Sequence, residues 1–132
     1  MGTAANIATV RRFYAAGPAD EDAERVPFAS PDIIWHVPGA NRVSGLYRGT
    51  DAVFREMPAS MQPLDQWDID VVDVMANDDL VVATVRIRGE RYGRTIDSGG
   101  AHVFRLDADA RIVEAWGFIV DQAAADAMLD PA

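Results

Sequence analysis

The sequence predicts an α+β protein in which N-terminal helices pack against a curved antiparallel or mixed sheet. Three observations support this fold class. Apolar residues recur with helical spacing in the first third of the chain, four long strand-like segments follow from residue 67 onward, and only short turns separate those segments. The chain has 132 residues, so we expect one domain over 1–132 with an ordinary core.

Two helices are expected at the start of the chain. Ile7, Val10 and Tyr14 share one face of the first helix, which should end near residues 17–18, where a Gly-Pro pair interrupts the pattern. A second, short helix is expected over Asp20–Val26, because its first residue is a good N-cap and Asp22 and Glu24 lie near its N-terminal end, where negative charge is favourable.

A strand, a loop and a third helix follow. The segment Asp32–Val37 is rich in β-branched and aromatic residues, which predicts a strand, and Pro38–Gly49 contains three glycines, which predicts a loop. Thr50-Asp51 should start a helix that Pro58 ends or kinks. The buried side of this helix should carry Val53, Phe54 and Met57.

Four strands and a last helix complete the chain. The strand candidates are 67–75, 80–90, 93–106 and 111–120, and the turns between them are short, which predicts antiparallel pairing. Asp121 should cap a C-terminal helix that runs through Leu129.

Composition excludes several classes of function. The net charge of −9 argues against a nucleic acid or an anionic membrane surface as a partner, because phosphates need cations to neutralise them. The chain has no Cys, which excludes a disulfide, a thiolate nucleophile and a thiolate metal site. All 12 basic residues are Arg, so chemistry that needs a lysine amine is excluded as well.

Targeting and cofactor signals are not recognisable in the sequence. Residues 1–17 lack a continuous apolar run, and no segment approaches the ~20 apolar residues of a membrane span. We therefore expect a cytoplasmic protein. The two histidines do not have the spacing of a metal motif, and no glycine-rich nucleotide loop is present, so we expect neither a metal nor another cofactor.

Several motifs in a fixed order resemble one protein family. These are Asp32-Ile-Ile-Trp-His-Val-Pro-Gly39, Ser44-Gly-Leu-Tyr-Arg-Gly-Thr50, Gly93-Arg94, His102-Val-Phe-Arg-Leu106 and Arg111-Ile-Val-Glu-Ala-Trp116 with Asp121. Together they resemble the SnoaL-like branch of the ketosteroid isomerase and nuclear-transport-factor-2-like superfamily. The resemblance implies a cone-shaped sheet around a deep apolar pocket for a small molecule, and a homodimer. The superfamily holds isomerases, cyclases, dehydratases and non-enzymatic domains, so the fold alone does not determine function.

The resemblance implies a catalytic position at His36. In ketosteroid isomerases an Asp general base ends this strand, and His36 falls at that place. Imidazole suits the removal of a proton alpha to a carbonyl, because its ordinary pKa lies near neutrality. Alternation places His36 with Ile34 on one face of the strand and Trp35 with Val37 on the other. The alternative is a core histidine bonded to a backbone carbonyl.

The resemblance also implies a functional position at His102. In the isomerases the matching strand carries a protonated Asp that donates a hydrogen bond to the enolate oxygen, a role that an imidazole N–H can fill. His102 shares its face with Phe104 and Leu106, which suits an inward, apolar setting. A buried histidine without a catalytic role is again the alternative.

A third candidate acid–base residue is Asp121, because related polyketide cyclases use an Asp from the late strands. Its simplest alternative is to cap the last helix. Phe13 rather than Tyr14 falls at the position of the isomerases' oxyanion tyrosine, so their full catalytic set is not reproduced. The candidate pocket walls, for each of which core packing is the alternative, are Tyr14, Phe54, Met57, Trp116 and Phe118.

The expected function is a cofactor-independent isomerase, cyclase or dehydratase that transfers protons on a small apolar carbonyl or polyketide-like substrate. His36 would move the proton, and His102 would hold the oxyanion or relay a proton. The alternative is a non-catalytic ligand-binding or dimeric interaction module of the same fold. Two imidazoles at one cavity would favour the enzyme, histidines that point away from a common cavity would favour the binding module, and a large exposed apolar patch on the sheet would favour the interaction module.

Overall fold

The computed structural model describes residues 2–16 and 19–130, and the side chains of residues 19–23 lie outside that description. Within this part of the chain a 3₁₀ helix follows the first α-helix, and a π-helical turn over Ala52–Glu56 precedes the second. The α-helices and strands are α1 (Thr3–Ala15), β1 (Ala29–Val37), β2 (Gly45–Arg48), α2 (Met57–Met61), β3 (Gln66–Asn77), β4 (Leu80–Arg91), β5 (Arg94–Leu106), β6 (Ile112–Ile119) and α3 (Gln122–Leu129).

One six-stranded sheet, in the order β2-β1-β6-β5-β4-β3, forms the body of the fold. The last four strands pair with their neighbours in antiparallel fashion, as their short connections predict. Strands β1 and β6 pair in parallel and join the N-terminal part of the chain to its C-terminal part. The predicted α+β class with a curved mixed sheet is therefore confirmed.

The structure corrects the prediction for residues 29–48. Strand β1 begins at Ala29 rather than Asp32, and the expected loop contains the short strand β2, whose Leu46 and Tyr47 pair with His36 and Trp35. A segment of four residues that begins with Gly45 and is followed by Gly49 carries too little alternation to be recognised as a strand. It forms because the free edge of β1 offers it unpaired backbone groups.

The helix predictions also need correction. The second helix is a 3₁₀ helix over Ala19–Phe28, and the proposed cap at Asp20 lies outside the described side chains. Of the two outcomes expected at Pro58, an end or a kink, the end is not observed, because the chain stays helical from Ala52 to Met61 and changes from π-helical to α-helical just before this proline. The π-helical turn stops just before α2, so Pro58 lies in the first turn of a new helix, where a backbone N–H has no intrahelical partner to lose.

The inner face of the sheet carries the main core. Val10 and Phe13 of α1 pack against it, and the fully buried residues of the sheet include Ile33, Val81 and Phe104. A second, smaller cluster lies under α3, around Ile96 and Met128. In the described chain, no helix has the length and apolar character needed to cross a membrane.

The outer face of the sheet carries a continuous cross-strand row of six side chains, which we call the outer row. Each member is opposite the next one on the neighbouring strand, from β3 at one edge to β2 at the other. In this order the row is Met75, Val82, Val103, Trp116, His36 and Leu46. Five of the six members are apolar, although no element of the described chain covers this face.

Candidate functional site

A cavity of about 610 Å³ lies between the inner face of the sheet and the helices. Its walls are mainly apolar, and several of them are aromatic. The aromatic side chains at the cavity are Phe13, Tyr14, Trp35, Phe54 and Trp67, with Phe118 at the edge. A concave apolar volume that contains a few polar groups is typical of small-molecule sites.

The polar contact inside this cavity is between Tyr14 and His102. The Tyr14 hydroxyl forms a hydrogen bond with His102 Nδ1, and the two rings stack with their centroids 5.8 Å apart. Tyr14 comes from α1 and His102 from β5, so the bond links the first helix to the middle of the sheet. His102 lies on the inward face with Phe104 and Leu106, as the alternation along this strand predicts.

The surroundings of this pair keep both groups neutral. Trp35 and Phe104 contact the His102 ring at centroid distances of 5.7 and 6.0 Å. Burial among these rings lowers the pKa of His102 to about 4. Burial also raises the pKa of Tyr14, and the positive charge of Arg25 opposes that rise only in part. At neutral pH the site therefore contains a neutral imidazole and a neutral phenol.

A positively charged side chain, Arg25, lies beside the Phe13 wall of the cavity. The Arg25 Nε–H donates to the Phe13 carbonyl oxygen at 3.0 Å, and its guanidinium lies 5.6 Å from the centre of the Phe13 ring. Asp70 of β3 accepts from Arg88 of β4 at 3.1 Å. However, these side chains alternate with the inward Ile69 and Ile87, so this ion pair is on the outer face of the sheet. The guanidinium of Arg25 can therefore contact a ligand at the cavity, while the interior offers it apolar walls and the Tyr14–His102 pair.

His36 does not share this cavity. It lies in the outer row on the other face of β1, and its ring stacks on Trp116 with a centroid distance of 5.3 Å and an interplanar angle of 1°. Its Nε2 is 2.7 Å from Glu114 Oε2. Glu114 also accepts from Arg105 at 2.7 Å, and Arg105, followed by His36, lowers the pKa of that carboxyl. The two histidines are therefore on opposite faces of the sheet.

Some of the remaining predicted site residues lie at the cavity, and the others lie away from it. Phe54 and Met57 line the cavity, whereas Phe118 only borders it, because it alternates with the inward Gly117 and has 53% of its surface exposed. The expectation that Trp116 forms a pocket wall needs correction. Trp116 lies directly opposite His36 on the neighbouring strand, and both side chains face outward. Asp121 is not at the cavity: its carboxylate accepts from the backbone N–H of Ala124 at 3.1 Å and caps α3.

Trp35 and Trp67 line the cavity but were not among the predicted site residues. A signal for Trp35 was present in the sequence. Its face of β1 carries Ile33 and Val37, whereas the opposite face begins with Asp32, so the more apolar set is the inward one. Among the side chains that the structure describes, no group of three His, Asp or Glu residues is arranged to hold a metal ion.

Two structures of ligand complexes share this fold at low identity. TerC co-crystallised with polyporic acid has a TM-score of 0.80 and 16% identity, over 94% of this chain and 97% of that one. Rv0760c of Mycobacterium tuberculosis in complex with estradiol-17beta-hemisuccinate has a TM-score of 0.71 and 12% identity, over 89% and 96%. At these identities the likeness shows the fold.

More similar proteins identify the family. The "Uncharacterized protein Rv0034" of Mycobacterium tuberculosis is 31% identical over 92% of this chain and 94% of its own length. A structure from Xanthomonas campestris, described as a protein of unknown function with a cystatin-like fold, is also 31% identical, with a TM-score of 0.84 over 96% and 98%. The model of the SnoaL-like domain matches residues 10–115. The chain therefore belongs to the SnoaL-like domain family.

Proposed function

We propose that the protein is a cofactor-independent isomerase, cyclase or dehydratase that acts on a small, largely apolar carbonyl compound, with His102 as the residue that contacts the carbonyl oxygen. The observation that carries this proposal is the neutral Tyr14–His102 pair inside an apolar cavity of about 610 Å³. The SnoaL-like family and the small organic ligands of two fold neighbours support a small-molecule substrate.

The chemistry that fits this site is stabilisation of an enolate. A neutral imidazole N–H that lies where negative charge develops can stabilise that charge in a dry site. Because His36 is on the other face of the sheet and Asp121 caps α3, neither is part of this mechanism. The substrate must then have an acidic C–H, as a 1,3-dicarbonyl compound does, so that water can remove the proton.

In the proposed dehydration, water is the base that removes the α proton. The α C–H bond breaks and gives its proton to water, while His102 holds the enolate oxygen by a hydrogen bond. The enolate then expels a β-hydroxyl as hydroxide, the C–O bond breaks, and the hydronium from the first step neutralises it. In the isomerisation the substrate is a β,γ-unsaturated carbonyl compound instead: loss of the α proton to water gives a dienolate held by His102, and the hydronium returns a proton to the γ carbon, which moves the double bond into conjugation.

We expect His102→Phe to slow turnover of β-hydroxy 1,3-dicarbonyl probes by about 100-fold or more, because the loss of one positioned donor has effects of this order. Formation of the conjugated enone can be followed by its ultraviolet absorbance. The matched control is His36→Phe, which makes the same exchange on the outer face of the sheet. Equal rates for the wild type and His102→Phe, or an equal loss in both variants, would contradict the proposal.

A binding module is the second candidate, and the placement of His36 outside the cavity favours it. This candidate predicts that apolar carbonyl compounds bind but are not converted. Trp35 and Trp67 line the cavity, so their fluorescence can report occupancy, and the Trp116→Phe background removes the tryptophan of the outer face. Binding without conversion across the probe series would replace the enzyme proposal with this one.

We also infer that the outer row mediates contact between two copies of this chain. The row crosses all six strands, and several side chains on or beside it are exposed although apolar: Met75 is 47% and Leu80 is 42% exposed. A contiguous apolar surface of this kind is uncommon on monomers. His36 and Glu114 lie within and beside the row and supply polar contacts to an otherwise apolar surface.

We expect Val103→Glu to convert a dimer into a monomer, because it places a charge at the centre of the outer row. The molar mass in solution, measured by sedimentation equilibrium, checks this. Val26→Glu is the control, since it makes the same exchange in the 3₁₀ helix, away from the sheet. A wild-type protein that stays monomeric at high concentration would contradict the inferred contact.

A further inference from the structure

The direction of the Tyr14–His102 hydrogen bond determines whether Nε2 of His102 is a hydrogen-bond donor or an acceptor toward a ligand. We propose that Tyr14 is a positioning residue: its O–H donates to His102 Nδ1, holds the ring as the Nε2–H tautomer, and so presents Nε2–H as a donor to a ligand oxygen. This inference rests on the proposed function, since it specifies how His102 contacts the carbonyl compound. It concerns the resting protein, however, and is tested without turnover.

The relative strengths of the two groups favour this direction. A phenol O–H is a stronger donor than an imidazole N–H, and the ring nitrogen lone pair is a stronger acceptor than a phenol oxygen. In the reverse arrangement Nδ1–H would donate to the Tyr14 oxygen, and the phenol hydrogen would need a different acceptor. Among the described residues, Tyr14 has no hydrogen-bond partner other than His102. The reverse direction would therefore leave a half-buried hydroxyl hydrogen without a protein acceptor.

The opposite edge of the His102 ring is open for a ligand. Gly117 of β6 faces this edge: a Cβ added there would be 3.6 Å from Cδ2 and 3.8 Å from Nε2 of His102. Both residues line the cavity, and no described residue accepts a hydrogen bond from Nε2. A glycine under the ring thus leaves space where a bulkier side chain would cover the donor.

The ligand chemistry follows from the tautomer. A fixed Nε2–H needs an acceptor, so a ligand with a carbonyl, enolate or phenolate oxygen completes the site, whereas a ligand that offers only N–H donors at that point does not. Because burial lowers the pKa of His102, the ring stays neutral and the donor role persists at neutral pH. The tautomer therefore makes His102 a hydrogen-bond donor rather than a base at Nε2.

The first test is nitrogen NMR of the protein labelled with ¹⁵N-histidine, in which protonated and unprotonated ring nitrogens have well-separated shifts. We expect His102 to show an unprotonated, hydrogen-bonded Nδ1 and a protonated Nε2. Tyr14→Phe should move the Nδ1 signal to its unbonded position and allow some Nδ1–H tautomer. Tyr47→Phe is the matched control, because the Tyr47 hydroxyl donates to the Val43 carbonyl oxygen at 2.7 Å and should leave His102 unchanged.

The second test compares 9-fluorenone with fluorene, two planar probes that differ by one carbonyl oxygen. We expect the wild type to bind fluorenone about fivefold more tightly, the effect of one neutral hydrogen bond. His102→Phe should remove this preference, and Tyr14→Phe should reduce it.

A protonated Nδ1 in the wild type, an Nδ1 signal that Tyr14→Phe does not move, or equal binding of the two probes would each overturn the inference. Turnover plays no part in these readouts. If no substrate is converted but the tautomer and the fluorenone preference are as expected, the proposed activity fails and the role of Tyr14 stands.

Discussion

Replacing Phe104 with Ala is expected to lower the free energy of unfolding by about 3–5 kcal/mol, the usual range for removing a fully buried phenylalanine ring. Phe104 is 0% exposed and contacts the rings of Phe13, Tyr14 and Trp35 at centroid distances of 5.8 to 5.9 Å. Its removal leaves a void between α1 and the sheet that these rigid rings cannot fill. Urea denaturation followed by tryptophan fluorescence measures the loss.

The control for this experiment is Phe118→Ala. It deletes the same ring from a position that is half exposed, so a loss below about 1 kcal/mol is expected. Similar losses in the two variants would show that Phe104 does not stabilise the fold in the way that its contacts indicate. A larger loss for Phe104→Ala, accompanied by weaker fluorenone binding, is expected because the same ring packs against both members of the Tyr14–His102 pair.

Acidification is expected to destabilise the protein through His102. Burial lowers the pKa of His102 from 6.5 to about 4, so between these values the unfolded chain binds a proton that the folded chain excludes. The neutral His102 ring makes its full contribution to the free energy of unfolding above about pH 6.5, and this contribution decreases as the pH falls. The loss from this residue should reach about 2 kcal/mol at pH 5 and about 3 kcal/mol at pH 4.

The free energy of unfolding of the wild type and of His102→Phe, measured between pH 7 and pH 5, checks this prediction. The wild type should lose stability over this interval, and its stability relative to His102→Phe should fall by about 2 kcal/mol. The carboxyls of Glu114 and Asp126, whose pKa values lie below their usual range, contribute at lower pH. His36→Phe should retain the loss that arises from His102. Parallel pH profiles for the wild type and His102→Phe would contradict the prediction.

Both predictions concern the same aromatic core, which encloses the ionisable pair of Tyr14 and His102. An imidazole and a phenol that are surrounded by rings remain neutral, because each would lose hydration on becoming charged. Their mutual hydrogen bond satisfies one donor and one acceptor, and the cavity leaves the far edge of His102 for a ligand. The site therefore favours hydrogen bonding to a developing oxyanion over proton transfer by a charged group.

The two histidines show why sequence patterns located one functional residue better than the other. The neighbours of His102 at positions i+2 and i+4 are Phe104 and Leu106, so one face of β5 is clearly the apolar one. Strand β1 has aromatic or aliphatic residues on both faces, since Trp35 and Ile34 have opposite parity. Alternation separated its two faces correctly, and only the weak contrast between Asp32 on one face and Ile33 on the other indicated which of them meets the helices.

The same ambiguity affected Trp116. One face of its strand, β6, lines the cavity, and the other face carries the outer row. Both faces contain large apolar residues. A sheet whose outer face is also apolar weakens the usual rule that the hydrophobic face is the inner one. The resemblance to ketosteroid isomerases implies a catalytic position at His36, whereas its side chain stacks on Trp116 on the face opposite the cavity in this protein.

The amino-acid sequence by itself determined the α+β class, the antiparallel arrangement of the last four strands, the cap at Asp121 and the inward direction of His102. Each of these depends on local alternation, turn residues or the side chain of a single residue. The tertiary structure alone decided the parallel pairing of β1 with β6, the strand β2, the outward placement of His36 and the bond between Tyr14 and His102. These features join segments up to 88 residues apart, and their geometry depends on how the sheet curves around α1, which no local pattern encodes.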